Sequence, residues 1–296
     1  MCSIEDQIPL FPSSFVPENR DAIDFNSYDI IAVGCGSSIN FSYVQNFELK
    51  PAFSITIGTS YVTALKFHPV NELLFIGDSK GNLFIYDYSK RLFASHPFSF
   101  EENSSITQIC FLDLGLLVLN KGCAFGFLDV TPKNSKYQFS IVWKNLLPEK
   151  TTNFCVDPYR KSRIFIYGRN TNFFMLYSLD KIKKTLKPIT EQSFLSNNLT
   201  FQDAQYSLHI RNYIFFITEQ KVMLYNVECH IAVSITHFQK TSSFLDRFIQ
   251  FPTDDSKLLC FHKSGAITIF EVREPFNLVS IAEIPFTQQV QQLFMY

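Results

Sequence analysis

The sequence predicts an all-β chain, a WD40-like β-propeller of about six to seven four-stranded blades. Three observations carry that expectation. Strand-turn-strand segments end near Val44, Tyr88, Val130, Leu179, Val227 and Val272, in steps of 44, 42, 49, 48 and 45 residues. A period in the forties with several short strands per unit is the spacing of WD40-type blades. Phe and Tyr are abundant at 33 and 13, and such aromatic enrichment suits pleated, half-buried surfaces better than helices. The apolar fraction of 46% against 18% charged residues supports a large core and argues against disorder. One unit of this kind cannot bury its own faces, so the core must form between neighbours. Function is therefore expected on surfaces.

The N-terminal residues 1–20 carry Pro9, Pro12 and Pro17 and read as an extended arm, with the option of a latch strand at a sheet edge. The propeller is expected over 21–296, with blades near 21–44, 61–88, 105–130, 139–179, 199–227 and 244–272. The segment 61–88 is the clearest copy. It reads as a strand, a His68-Pro69 turn, a second strand, a turn at Asp78-Ser79-Lys80-Gly81 and a third strand ending in Tyr86-Asp87. That second turn has a side-chain acceptor to start it and a glycine for positive φ. The strand at 139–143 is read as opening the fourth blade, after which Asp157-Pro158 supplies a turn. The polar connection at 180–200 is read as a protruding loop. In the fifth blade, 212–218 and 221–227 form a hairpin around Glu219-Gln220; in the sixth, 252–255 and 263–265 supply the turns. A further opening strand is expected at 289–296. Six blades and one strand leave the ring incomplete at the C-terminus, and its exposed edges would invite pairing, so the chain reads as a fragment of a longer protein.

Composition excludes several function classes. With 26 Lys+Arg against 27 Asp+Glu, the chain lacks the basic field of a nonspecific nucleic-acid binder, and no nucleic-acid partner is expected. The short basic run Lys181-Ile182-Lys183-Lys184 reads as a solvated loop. Seven cysteines, widely spaced and without a C-x-x-C pair, read as reduced core thiols in a cytoplasmic protein. The N-terminus lacks a basic region and a long apolar core, so it is not read as a secretory signal. No apolar stretch approaches the ~18 residues a spanning helix needs, which limits any membrane association to a peripheral one.

Nothing in the motifs asks for an enzyme. Gly34-Cys35-Gly36 contains G-x-G, but the third glycine and a following helix are missing, so turn glycines explain it better. His68 reads as a hydrogen-bonded turn residue. A zinc site among the six histidines is not expected, and Cys229-His230 would point to opposite faces on a strand. Glu101-Glu102 and Asp254-Asp255 fall in turns. Trp143 is read as a packing residue in preference to an exposed partner anchor. No catalytic, cofactor-binding or metal-binding residue is assigned, no cofactor is needed, and partner-binding positions stay unassigned. The rival expectation is a small-ligand-binding or enzymatic propeller that uses its central channel. It requires polar side chains to converge from the first strands, which read as mostly apolar at 62–67, 106–111 and 153–156 with Thr63, Thr107, Gln108 and Asn153 interspersed.

A more specific likeness lies in the order of less typical segments. Asp24-Phe25 precedes Asp29-Ile30-Ile31-Ala32-Val33-Gly34-Cys35; later come Val142-Trp143-Lys144 and Asn153-Phe154-Cys155-Val156-Asp157-Pro158. The hairpin from Asn212-Tyr213-Ile214-Phe215-Phe216-Ile217 to Val222-Met223-Leu224-Tyr225-Asn226-Val227 follows, then Leu258-Leu259-Cys260-Phe261-His262-Lys263-Ser264-Gly265. From about residue 20 onward this series resembles the N-terminal propeller of the WD repeat-containing protein 11 family. The resemblance implies a non-catalytic scaffold with two propellers and a helical tail. It also implies partners that are subunits of a vesicle-tethering complex, peripheral at the trans-Golgi network, acting on endosome-derived vesicles with acidic-cluster cargo. The second propeller and the tail are not in this sequence, and the family supplies no catalytic residues to carry over.

Overall fold

The computed structural model describes residues 21–45, 48–112, 115–180, 183, 185–190, 193–194, 199–219, 221–237, 245–250, 257–262, 266–273 and 277–284. The expected arm at 1–20, the turns at 252–255 and 263–265 and the strand at 289–296 lie outside the described residues. Among the described residues every regular element is a β-strand. The chain divides into two compact units with the boundary between Glu149 and Lys150, and each holds three antiparallel sheets.

In the first unit, blade one is β1 (Ile23–Phe25), β2 (Ile30–Cys35), β3 (Ser38–Gln45) and β4 (Glu48–Thr56), hydrogen-bonded in that order. Blade two is β5 (Val62–Phe67), β6 (Leu73–Asp78) and β7 (Asn82–Asp87), with β8 (Leu92–Phe93) and β9 (Phe98–Ser99) both pairing with β7. Blade three is β10 (Ile106–Leu112), β11 (Gly115–Asn120), β12 (Ala124–Lys133) and β13 (Lys136–Leu146).

In the second unit, blade four is β14 (Asn153–Val156), β15 (Arg163–Tyr167) and β16 (Phe173–Asp180), with β17 (Thr185–Pro188) and β18 (Ser193–Phe194) both on β16. Blade five is β19 (Phe201–Tyr206), β20 (Tyr213–Thr218), β21 (Lys221–Asn226) and β22 (Ile231–His237). Blade six is β23 (Leu245–Gln250), β24 (Lys257–His262), β25 (Ile267–Arg273) and β26 (Asn277–Ile284).

Burial explains why the second and third strands were easiest to read. All six residues of β6 are buried, and β11 and β20 are buried at all but their first positions. Strands covered on both faces become continuous apolar runs. Fourth strands are edges and keep a polar face, so their period fades. Two readings change as a result. The strand at 139–143 belongs to β13, which pairs along its length with β12 as the outer edge of blade three and does not open blade four. The connection at 180–200 is not simply a protruding loop: Thr185–Pro188 and Ser193–Phe194 both pair with β16. Pro188 is tolerated there because an outer edge does not need its N–H.

The core sits between blades. One cluster joins Leu74, Ile76 and Tyr86 of blade two to Ile39 and Phe41 of blade one; another joins Phe75 and Ile85 of blade two to Ile109 and Val118 of blade three. In the second unit, Phe165 and Phe174 of blade four pack with Phe201 and Phe216 of blade five, whose Phe215 and Leu224 pack in turn with Phe248 and Cys260 of blade six. Glycine sets the spacing at two of these seams. A Cβ on Gly34 in β2 would lie 2.5 Å from Val62 Cγ1, and one on Gly77 in β6 would lie 2.6 Å from Ile106 Cβ.

The turn at 78–81 has the expected chemistry. Asp78 Oδ1 accepts from the Lys80 and Asn82 N–H groups at 2.9 and 2.7 Å, and Gly81 takes a φ of 87°. Asp78 Oδ2 also accepts from Ser60 Oγ at 2.7 Å, which ties the entry to blade two onto this turn.

Candidate functional site

The turns between first and second strands share a local design in four blades. Each opens with a side-chain acceptor that captures backbone N–H groups just ahead of it. Asn26 Oδ1 accepts from the Tyr28 and Ile30 N–H groups at 3.0 and 2.9 Å. His68 Nδ1 accepts from Val70 and Asn71 at 3.1 and 2.9 Å. Asp157 Oδ1 accepts from Tyr159 and Arg160 at 2.8 and 3.0 Å, and Ser207 Oγ accepts from His209 and Ile210 at 3.3 and 2.9 Å. Asn, Asp and Ser favour such turns because their short polar side chains replace a backbone partner.

With the turn fixed, one apolar residue in each projects outward. Tyr28 is 55% exposed and Val70 72% in the first unit; Tyr159 is 39% and Leu208 42% in the second. In blade three this turn falls at 113–114 and in blade six at 251–256, outside the described residues.

In the second unit the two projecting residues touch. Tyr159 donates its hydroxyl to the Leu208 carbonyl at 2.7 Å, and the Arg211 guanidinium lies 5.3 Å from the centre of the Tyr159 ring. Charges frame the pair. Arg160 and Arg163 reach Glu228 at 3.1 and 3.7 Å, while Arg163 lies 3.8 Å from Asp157 and donates to Asn212 Oδ1 at 3.1 Å. An apolar centre bordered by arginine and tyrosine has the residue types that dominate protein contacts.

In the first unit an open groove of about 460 Å³ runs between the His68 turn and the β12–β13 hairpin at Asp129, Val130, Thr131 and Tyr137. Its walls include Phe75, Phe111, Tyr137, His68, Asp129 and Thr131. Phe111 stands edge-on to both His68 and Phe75, at 5.1 and 4.7 Å between ring centres. Burial lowers the His68 pKa from its ordinary value. The two N–H groups pointing at Nδ1 agree with that direction, since protonation there would expel them.

The positions singled out in the sequence fall into place individually and do not gather into one site. Gly34-Cys35-Gly36 ends β2 and turns into β3, with Gly36 at a φ of 58°. Cys229-His230 lies in the turn between β21 and β22 and not on a strand; Asn226 Oδ1 accepts the Glu228 and Cys229 N–H groups, and His230 takes a φ of 56°. Trp143 packs beside Phe125 and Phe127, at 5.6 and 6.2 Å. Glu101 meets Lys144 at 3.4 Å. Asp254-Asp255 lies outside the described residues.

Three of the polar side chains on the first strands bond close to home. Thr63 donates to the Gly77 carbonyl and Thr107 to the Leu119 carbonyl, each within its own blade, and Asn153 accepts from Thr152. Burial pushes the Cys110 and Cys260 thiols up, which makes them poor nucleophiles. Among the described residues no three His, Cys, Asp or Glu side chains are placed to hold a metal ion, and no helix is long and apolar enough to cross a membrane. What sequence reasoning missed was the exposed residue one or two places beyond each turn acceptor. The signal was present as Asn26-x-Tyr28, His68-x-Val70, Asp157-x-Tyr159 and Ser207-Leu208, but exposure is a tertiary property.

No protein-family model matches the chain, and no curated protein matches it. Solved structures do. A chain in the crystal structure of the mitotic checkpoint complex is similar with a TM-score of 0.70 and 13% identity, over 97% of this chain and 89% of that one. The fold is a WD40-type β-propeller. A protein from Lactobacillus plantarum is similar with a TM-score of 0.69 and 10% identity, over 90% of this chain and 84% of that one. At such identities the likeness extends to the WD40-type propeller fold alone.

Proposed function

We propose that the chain is a non-catalytic scaffold that binds partner proteins through the turns between its first and second strands. One observation carries this reading: four of these turns are locked by their own side chains and hold Tyr28, Val70, Tyr159 and Leu208 out to solvent. An exposed apolar side chain on a rigid turn has little conformational entropy left to lose on binding. The propeller fold fits the same role. The finer reading, a subunit of a vesicle-tethering assembly peripheral at the trans-Golgi network, draws its support from the ordered segments resembling the WD repeat-containing protein 11 family.

The test compares proteins cross-linked to the wild-type chain in cells with those cross-linked to a Tyr159→Ser, Leu208→Ser variant and to a Tyr28→Ser, Val70→Ser variant. Loss of specific partners from folded variants is expected. An unchanged partner set in both would remove the reading. For the finer one, the tagged chain should coincide with trans-Golgi markers, and an even cytosolic distribution would count against it.

A further inference from the structure

We propose that the β12–β13 hairpin and the neighbouring turn of blade two form a cationic surface that docks onto bilayers containing acidic phospholipids. This surface is separate from the turns between first and second strands and goes beyond the scaffold reading. β11 pairs with β12 only as far as Leu128, so 129–133 and 136–140 run on as a two-stranded ribbon, about 16 Å long. Asn134 and Ser135 close its tip with φ of 49° and 63°, as a tight hairpin turn requires. Lys133 and Lys136 are direct partners across that turn. Side chains at such positions share a face, and like charges there destabilise a ribbon. Neither lysine has an acidic partner among the described residues; the Lys136 ammonium reaches the His96 ring instead, at 3.4 Å.

Blade two adds to the same corner. The Tyr137 N–H donates to the Ala94 carbonyl at 2.7 Å, which holds the ribbon beside that blade. In the turn after β7, Asp87 answers Lys90 at 2.9 Å, and Glu72 and Tyr137 lie close enough to act on the Lys90 charge. Arg91 lies 4.7 Å from the centre of the Phe53 ring and has no acidic partner among the described residues. Four cations thus stand against the carboxylates of Asp87 and Glu72, while Asp129 sits at the base of the ribbon, away from its tip. Leu92, 48% exposed, borders the basic turn. Shape then selects the ligand. A projecting tip is convex and cannot enclose a small anion, whereas a plane of headgroups meets several such cations at once. Attraction to that plane fades within a Debye length, so it favours charges that stand out from the body, as these lysines do. An apolar side chain beside the cations suits the boundary between headgroups and acyl chains.

The experiment is flotation of the full chain with vesicles of phosphatidylcholine alone and of phosphatidylcholine with about 30% phosphatidylserine, at about 0.1 M and about 0.5 M salt. Binding should require the acidic lipid and fade at the higher salt. Each cation near such a surface strengthens binding about fivefold, so the Lys133→Glu, Lys136→Glu variant should bind at least about twentyfold more weakly. A Lys80→Glu, Lys121→Glu variant makes the same change in net charge at the opposite ends of β7 and β12, and should lose less than about threefold. Lys133→Glu alone gives the turn an opposite-charge pair, so it should raise the thermal midpoint while weakening vesicle binding about fivefold or more. The melt of each variant reports whether it is folded. Equal flotation with neutral vesicles, an equal loss in the two double variants, or undiminished binding by the hairpin variant would each overturn the proposal. So would tighter binding of polyglutamate or duplex DNA than of acidic vesicles through the same lysines, which would assign the surface to another class of partner.

Discussion

Asp24 on β1 joins Lys66 on β5, with Nζ 2.8 Å from Oδ1, and its second oxygen accepts the Phe67 N–H at 2.7 Å. One carboxylate thus ties blade one to both the side chain and the backbone of blade two. Burial works against the Lys66 charge, but the nearby Asp24 outweighs it, so the lysine pKa rises above its ordinary value. These are first-strand residues, where a polar ligand site would be sought. Here they satisfy one another.

That arrangement makes the two partners unequal. Asp24→Ala removes an acceptor from a part-buried backbone N–H as well as an ion partner, and should lower stability by about 1–3 kcal/mol. Lys66→Met leaves the Phe67 hydrogen bond in place and should cost less. Urea unfolding midpoints decide the order, and equal losses would show that the backbone bond contributes little.

Gly77 offers a test of the blade seam. Alanine there would drive a methyl group into Ile106, and overpacking of this kind costs about 1–3 kcal/mol. Gly36→Ala meets open space and should cost only about 1 kcal/mol, from its positive φ. Thermal melts of the two variants should separate clearly, with Gly77→Ala lower.

Phe201 is the hub of the aromatic packing between blades four and five. Its ring centre lies 5.2 Å from that of Phe216, 5.7 Å from those of Tyr167 and Phe174, and 6.1 Å from that of Phe165. Phe201→Ala should destabilise the second unit by about 3–5 kcal/mol and weaken the near-ultraviolet dichroism of the aromatic side chains. Tyr28→Ala, on an exposed turn, should stay within about 0.5 kcal/mol of wild type.

His68 predicts a pH response of definite sign. Its folded pKa lies below the ordinary value of 6.5, so the unfolded chain binds a proton there first. Its contribution is intact above pH 6.5 and is lost as pH falls from there through the lowered folded value. His68→Asn keeps a side-chain acceptor in the turn and cannot titrate. Stability measured from pH 7.5 down to 5 should therefore fall less steeply in the variant. A steeper fall would contradict the neutral, accepting imidazole.

The legible and illegible parts of the chain divide by how many faces a strand buries. β6, β11 and β20 announce themselves as apolar runs because both faces are covered. β13 was seen in part but given to the wrong blade, since a strand's alternation does not say which neighbour it bonds. β17 was read as loop because Thr185-Leu186-Lys187-Pro188 is mostly exposed and carries no periodic signal. The turns were legible at Asp78, His68 and Asp157, where the acceptor and the turn residues lie next to one another.

By itself the sequence determined the blade type, the repeat and the turn chemistry, all of which depend on residues a few positions apart. Tertiary structure alone decided which strand closes each blade, that Gly34 and Gly77 face the following blade, and that Tyr159 meets Leu208 across 49 residues. It also decided that His68 and Asp129 share one groove. Local preferences act within a strand or turn, whereas interblade contacts arise only when faces that no single unit can bury are brought together.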